Sequence, residues 1–89
     1  MIRASHILVE YKEQADTIKQ ILDNGSDFAT LAFICSRCPS GVKAGGDLGE
    51  FDRGQMVPEF EEVAYNTEVG SISDVVRTQF GFHIIKRIA

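Results

Sequence analysis

The chain has 89 residues and a formal charge of −4, with 9 Lys and Arg set against 13 Asp and Glu. That length suits one domain, residues 1–89, whose single core hides only about two-thirds of the surface the unfolded chain exposes. Its scattered basic residues form no stripe for nucleic acid, and its apolar runs are far too short to cross a bilayer.

Ile2 to Val9 is an apolar run, expected to be a strand buried on both faces apart from Ser5 and His6. Met1-Ile2-Arg3-Ala4-Ser5 enters it directly, without the apolar stretch of a secretion signal. The expected setting is therefore cytoplasmic, with Cys35 and Cys38 reduced. Tyr11 to Asn24 has helical periodicity: Ala15, Ile18, Ile21 and Leu22 share one face, while Lys12, Glu13, Asp16 and Lys19 favour water. Asn24-Gly25 stops this helix, and Ser26 or Asp27 caps a second one with an apolar stripe of Phe28, Leu31, Ala32 and Cys35.

From Ser36 to Gly46 the periodicity fails, and Pro39, Gly41, Gly45 and Gly46 mark a loop with room for one helical turn. Leu48 to Phe51 is a short strand. Pro58 suits the first turn of a further helix, where its missing amide hydrogen costs nothing, and Phe60, Val63 and Ala64 form that helix's buried face. After Val69-Gly70-Ser71 a strand is expected from Ile72 to Arg77, and Gly81 opens a last strand ending near Ile88. The order βαα(loop)βαββ describes an α+β fold, with helices around a small, mainly antiparallel sheet.

The two histidines lie at opposite ends of the chain, in Ser5-His6-Ile7-Leu8-Val9 and Gly81-Phe82-His83-Ile84-Ile85. First and last strands of a small sheet can lie side by side, which would join the two imidazoles. Either one alone reads as a half-buried strand residue bonded to a neighbour. Strands rich in Ile and Val, however, hold an imidazole poorly without a polar partner. The small or polar neighbours Ser5 and Gly81 leave room for a ligand or another side chain.

Cys35-Ser36-Arg37-Cys38 has C-x-x-C spacing. Zinc would need two more ligands, and no second C-x-x-C or H-x-x-H occurs; His6 and His83 come from separate strands without finger spacing. A redox pair normally opens a helix, whereas this one closes it. Cys35 continues an apolar helix face, and Cys38 is the better candidate for a site wall. Met56 and Phe60, four apart across a helix start, can face one direction. With Leu48 and Phe80 they would make an apolar slot above the histidines, as ligand pockets often have.

Ser-His-Ile-Leu-Val, Gly45-Gly46-Asp47-Leu48-Gly49-Glu50-Phe51, Arg53-Gly54-Gln55-Met56-Val57-Pro58 and Thr78-Gln79-Phe80-Gly81-Phe82-His83-Ile84-Ile85 together resemble the parvulin family of peptidyl-prolyl cis/trans isomerases. The motifs fall in the family's order and spacing over essentially the whole chain. The resemblance implies a βα3βαβ2 fold, with a four-stranded, mainly antiparallel sheet surrounded by helices. It places the paired histidines on His6 and His83, the active-site cysteine on Cys38 and the hydroxyl of their network on Thr78. Leu48, Met56, Phe60 and Phe80 become the proline pocket.

The implied activity is rotation about Xaa-Pro bonds in unfolded or partly folded proteins, by a monomer that needs no metal or other cofactor. A non-catalytic peptide-binding or chaperone module of the same fold is the alternative. One departure from the family concerns phosphate. Phospho-directed members carry a basic loop after the first strand, whereas Val9-Glu10-Tyr11-Lys12-Glu13-Gln14 runs directly into a helix, with Glu10 and Glu13 expected near the rim of the site. A phosphate before proline would meet repulsion there unless Arg37, Lys43 or Arg53 reached it.

Overall fold

The computed structural model describes residues 1–39 and 44–89. Within them the chain forms β1 (Ile2–Val9), α1 (Lys12–Asp23), α2 (Phe28–Cys35), β2 (Asp47–Phe51), α3 (Pro58–Asn66), β3 (Val76–Thr78) and β4 (Gly81–Arg87). Gly41, Lys43 and most of the helical turn expected before β2 lie outside the described residues. The sheet order is β2-β1-β4-β3, and every neighbouring pair is antiparallel. The first and last strands are thus its central pair, in register from Ala4 opposite Arg87 to Val9 opposite Phe82.

Strand alternation divides the core in two. Ile7, Val9 and Ile84 pack on one face against Ala15, Ile18 and Leu22 of α1 and Phe28 and Ala32 of α2. On the other face Ile2, Ala4, Val76 and Ile85 pack with Phe51 of β2 and Phe60 and Ala64 of α3. The expected strand burial needs two corrections. Ser5 and His6 are buried too, at 6% and 5% exposed. Arg3 instead faces solvent and pairs with the Asp47 carboxylate, which it holds below the usual carboxylate range. Strand β1 has a neighbour on each edge and packing on both faces, which encloses Ser5 and His6.

The helix ends follow local chemistry. Asp27 Oδ2 accepts from the Thr30 amide at 3.0 Å, which selects Asp27 over Ser26 as the cap of α2. Pro58 stands at the start of α3. The buried stripe of α1 is narrower than its periodicity suggests, because Ile21 is 39% exposed while Ala15, Ile18 and Leu22 are buried. Lys12–Asp16 and Lys19–Asp23 ion pairs, both at 2.8 Å, lie along the same helix.

The strand expected over Ile72–Arg77 is interrupted. Ile72 forms a single bridge to Lys86, and regular pairing resumes only at Val76, opposite His83. Between those pairs the Ile72 side holds one more residue than β4, so an uninterrupted ladder is impossible. Ser73 fills the break: its amide donates to the Ile85 carbonyl at 2.7 Å, and its hydroxyl accepts the Ile85 amide at 3.1 Å. At the far end, Gly81 has φ +138°, and a Cβ there would lie 2.5 Å from the Val9 carbonyl oxygen. The space beside Gly81 therefore belongs to the β1 backbone, which corrects the expectation that it admits a ligand. No helix among the described residues is long and apolar enough to cross a membrane.

Candidate active site

Strand register brings the histidines together. Leu8 faces His83 across β1 and β4, and His6 lies two residues from Leu8 on the same side of the sheet. Their Nδ1 atoms are 3.0 Å apart, with the rings stacked at a 20° interplanar angle. Phe60 of α3 meets both rings nearly at right angles, with centroids 5.5 Å from His6 and 5.4 Å from His83.

Thr78 anchors the network. Its Oγ1 accepts the Phe80 amide at 3.1 Å and lies 2.6 Å from His83 Nε2. Two proton arrangements satisfy these contacts: Thr78 donates to His83 Nε2 and His83 Nδ1–H to His6 Nδ1, or His6 Nδ1–H donates to His83 Nδ1 and His83 Nε2–H to Thr78. The first leaves His6 Nε2 protonated and the second leaves it an acceptor. Among the described residues, His6 Nε2 is a buried side-chain atom without a hydrogen-bond partner. Burial pushes the His6 pKa down to about 4, helped by the neighbouring His83, and burial alone brings His83 to about 4. Both imidazoles are neutral at pH 7, so the floor of the site is polar but uncharged.

Above this floor is a cavity of about 290 Å³ lined by His6, Cys38, Leu48, Met56, Phe60, Phe80 and His83, with Gln55 and Val57. The seven lining positions named from sequence converge on one slot, and Thr78 lies behind it, bonded to His83. Phe80 is 62% exposed and forms the outer lip, whereas Phe60 is buried. Leu48, Met56 and Val57 tie the wall to the core beneath α3. Gly46 closes the other approach: its carbonyl accepts the His6 amide at 2.9 Å, and with φ +89° a Cβ there would lie 2.5 Å from the His6 carbonyl oxygen. Only glycine lets this loop lie flat against β1.

The C-x-x-C pair is split between two surroundings. Cys35 packs against the core of the α1–α2 face, while Cys38 lines the slot. The cations near the site are engaged by acids. Arg37 pairs with Glu10 at 2.6 Å, and Arg53 pairs with Glu61 at 3.3 Å and stacks over Tyr65. Lys43 lies outside the described residues. Glu13, expected near the rim, instead lines a groove with Val9, Ile18 and Ile34 on the opposite face of the sheet.

Sequence reasoning missed Gln55, Val57 and Ser36. Gln55 and Val57 stood inside a quoted motif, and their place between Arg53 and Pro58 was the available signal. Ser36 looked like a spacer between cysteines, although a serine directly after an apolar helix is a natural capping position.

A wholly antiparallel four-stranded sheet that carries a neutral imidazole pair beneath an apolar slot is the architecture of the parvulin isomerases. A family model described as the PPIC-type PPIase domain matches residues 1–88, and the chain belongs to that family. It is 54% identical over 85 residues to the foldase protein PrsA of a Geobacillus species, covering 96% of this chain and 31% of that protein. It superposes on the crystal structure of the peptidylprolyl isomerase PrsA from Bacillus anthracis with a TM-score of 0.94 and 48% identity, over 97% of this chain and 40% of that one. On NmPin, the parvulin of Nitrosopumilus maritimus, the TM-score is 0.87 with 40% identity, over 99% of this chain and 95% of that one. The chain thus spans about a third of the foldases it matches and nearly the whole of a small archaeal parvulin.

Proposed function

We propose that this isomerase domain accelerates rotation about Xaa-Pro bonds in unfolded or partly folded polypeptides, without a covalent intermediate, and so assists their folding. The observation that carries the reading is the apolar slot of Leu48, Met56 and Phe60, lined on its polar side by the buried His6–His83 pair. Rotation crosses a barrier of roughly 18–20 kcal/mol through a twisted state in which amide resonance is lost. The twisted amide is less polar than either planar isomer, so an enclosure that seats the proline ring and removes water favours it. The neutral imidazole pair gives the slot a polar but uncharged side. The bonds through His83 and Thr78 keep the His6 imidazole oriented, and Cys38 supplies the wall beside it.

Nucleophilic attack by Cys38 would require an adjacent base and donors for an oxyanion. Three of the four imidazole nitrogens are instead engaged along the His6–His83–Thr78 line, so Cys38 is read as a polarisable wall. Each tenfold of rate needs only about 1.4 kcal/mol of differential binding, within reach of a few such contacts. Pairing of Arg37 with Glu10 and of Arg53 with Glu61 supports a preference for uncharged or basic residues before proline over phosphoserine. A monomeric domain in a reducing compartment fits Cys35 and Cys38 as reduced thiols, and sedimentation together with fractionation of cells making the full-length chain would check both.

Exchange spectroscopy on short Xaa-Pro peptides, with chelator present, tests the activity. Faster interconversion is expected, strongest for apolar Xaa and weakest for phosphoserine. Peptide binding without acceleration would assign the domain to the non-catalytic holding modules. A preference for phosphoserine that fades with salt would show that basic side chains grip phosphate after all.

A further inference from the structure

We infer that Ser36 is a positioning residue for the isomerase site, fixing the Cys38 wall over the histidine pair; this deepens the reading above and rests on it. Ser36 lies at a junction of three segments. Its amide donates to the Ala32 carbonyl at 3.0 Å and ends α2. Its Oγ accepts the Leu8 amide of β1 at 3.0 Å and the Cys38 amide at 3.3 Å. The next residue completes the attachment, with the Arg37 amide donating to the Leu8 carbonyl at 2.7 Å and its guanidinium pairing with Glu10.

Leu8 is the residue opposite His83 and two from His6, so the segment carrying Cys38 is fastened to β1 beside the imidazoles. Both backbone polar groups of Leu8 on that edge are satisfied by residues 36 and 37, where β2 no longer runs alongside. The single oxygen of Ser36 therefore joins the strand that carries His6 to the loop that carries Cys38. Without it, the segment that carries Cys38 loses one of its attachments to β1 and shifts relative to the floor. A wall displaced by even an ångström grips the planar and twisted amides alike, which lowers turnover more than binding.

The matched control is Ser73, a buried serine whose hydroxyl also accepts a strand amide, that of Ile85, outside the cavity lining. Peptide exchange would be measured as kcat and KM for wild type, Ser36→Ala, Ser36→Thr and Ser73→Ala. Peptide-resolved alkylation of Cys38 by iodoacetamide would be followed in the same four proteins. For Ser36→Ala we expect kcat to fall about tenfold with KM nearly constant, and Cys38 alkylation to change by more than about threefold. Ser36→Thr should recover most of both, because it restores the acceptor oxygen. Ser73→Ala should lower the melting temperature and leave kcat and alkylation near wild type.

Unchanged kcat and alkylation in Ser36→Ala would overturn the inference. So would a loss that merely tracks stability and matches Ser73→Ala. A wild-type chain that leaves the exchange rate unaltered would defeat the isomerase reading instead, and the alkylation contrast would then decide the placement of Cys38 by itself.

Discussion

The two faces of the sheet bury similar numbers of side chains to different ends. Beneath α1 and α2, Ile7, Val9 and Ile84 meet Leu22, Phe28 and Ala32 in an apolar core. Beneath α3 the same two central strands present His6 and His83, with Thr78 bonded behind them and Phe60 across their rings. Alternation makes this division possible, since Ile84 and His83 are neighbours in sequence and point to opposite faces. One face supplies the burial that folds a small domain. The other accepts the cost of enclosing imidazoles because each finds a partner and stays uncharged.

The largest contrast should come from truncating each face. Ile84→Ala, at a residue with no exposed surface, should destabilise the fold by about 2–5 kcal/mol in denaturant unfolding, with the turnover of the remaining folded protein nearly intact. Phe60→Ala should cost a similar amount, about 3–5 kcal/mol, and also abolish most turnover, since Phe60 is both core and cavity wall. Equal loss of turnover per folded molecule in the two variants would erase the distinction between the faces.

The histidine pair sharpens the comparison by double-mutant cycle. His6→Leu leaves His83 Nδ1 without its partner, and His83→Leu removes a partner from both His6 and Thr78. Each single variant should lose about 1–3 kcal/mol of stability together with turnover, and the double variant should lose clearly less than the sum. Additivity would mean that the imidazoles act separately.

Acid should weaken the α3 face selectively. Both histidines have folded pKa values near 4, below the ordinary 6.5. As pH falls, the unfolded chain therefore takes up protons first. The stability tied to their neutrality is present above about pH 6.5 and is lost as pH falls toward 4. Denaturation midpoints between pH 7.5 and 4.5 should drop more steeply for wild type than for the His6→Leu/His83→Leu variant, which shares the same carboxylates. Parallel curves would show that the imidazoles do not resist protonation.

Smaller effects are expected on the slot alone. Met56→Ala removes part of a half-buried wall and should lower kcat/KM by roughly tenfold, with little change in melting temperature. Cys38→Ser keeps a side chain of similar shape and should retain most activity. A trapped covalent adduct at Cys38, or complete inactivity of the serine variant, would restore the nucleophile to consideration.

Much of this arrangement is legible before any coordinates. Two histidines inside apolar strands at opposite chain ends already point to a shared network, and the periodicity of α2 separates Cys35 from Cys38. What periodicity cannot show is rotation and register. Ile21 belongs to the apolar stripe of α1 on a helical wheel, yet it rolls to the surface because the helix is fixed by Ala15, Ile18 and Leu22. The same rotation places Glu13 over the opposite groove. The break at Ser73 depends on one residue too many between two pairings, a count that exists only once the strands are aligned. The role of Ser36 is hidden for a similar reason, since its partner Leu8 is 28 residues away.

The strand order has a further consequence, for the birth of the molecule. β1 is made first and β4 last, yet they form the central ladder, which pairs Ala4 with Arg87 and joins the imidazoles 77 positions apart. While a ribosome is still adding residues before Gly81, the inner edge of β1 has no native neighbour and its apolar residues have half a lining. Such high contact order favours slow, late assembly over stepwise growth from the first residues. During that interval the nascent segment is itself an exposed, unpaired strand. This isomerase domain has a topology that delays its own folding until nearly its last strand has been made.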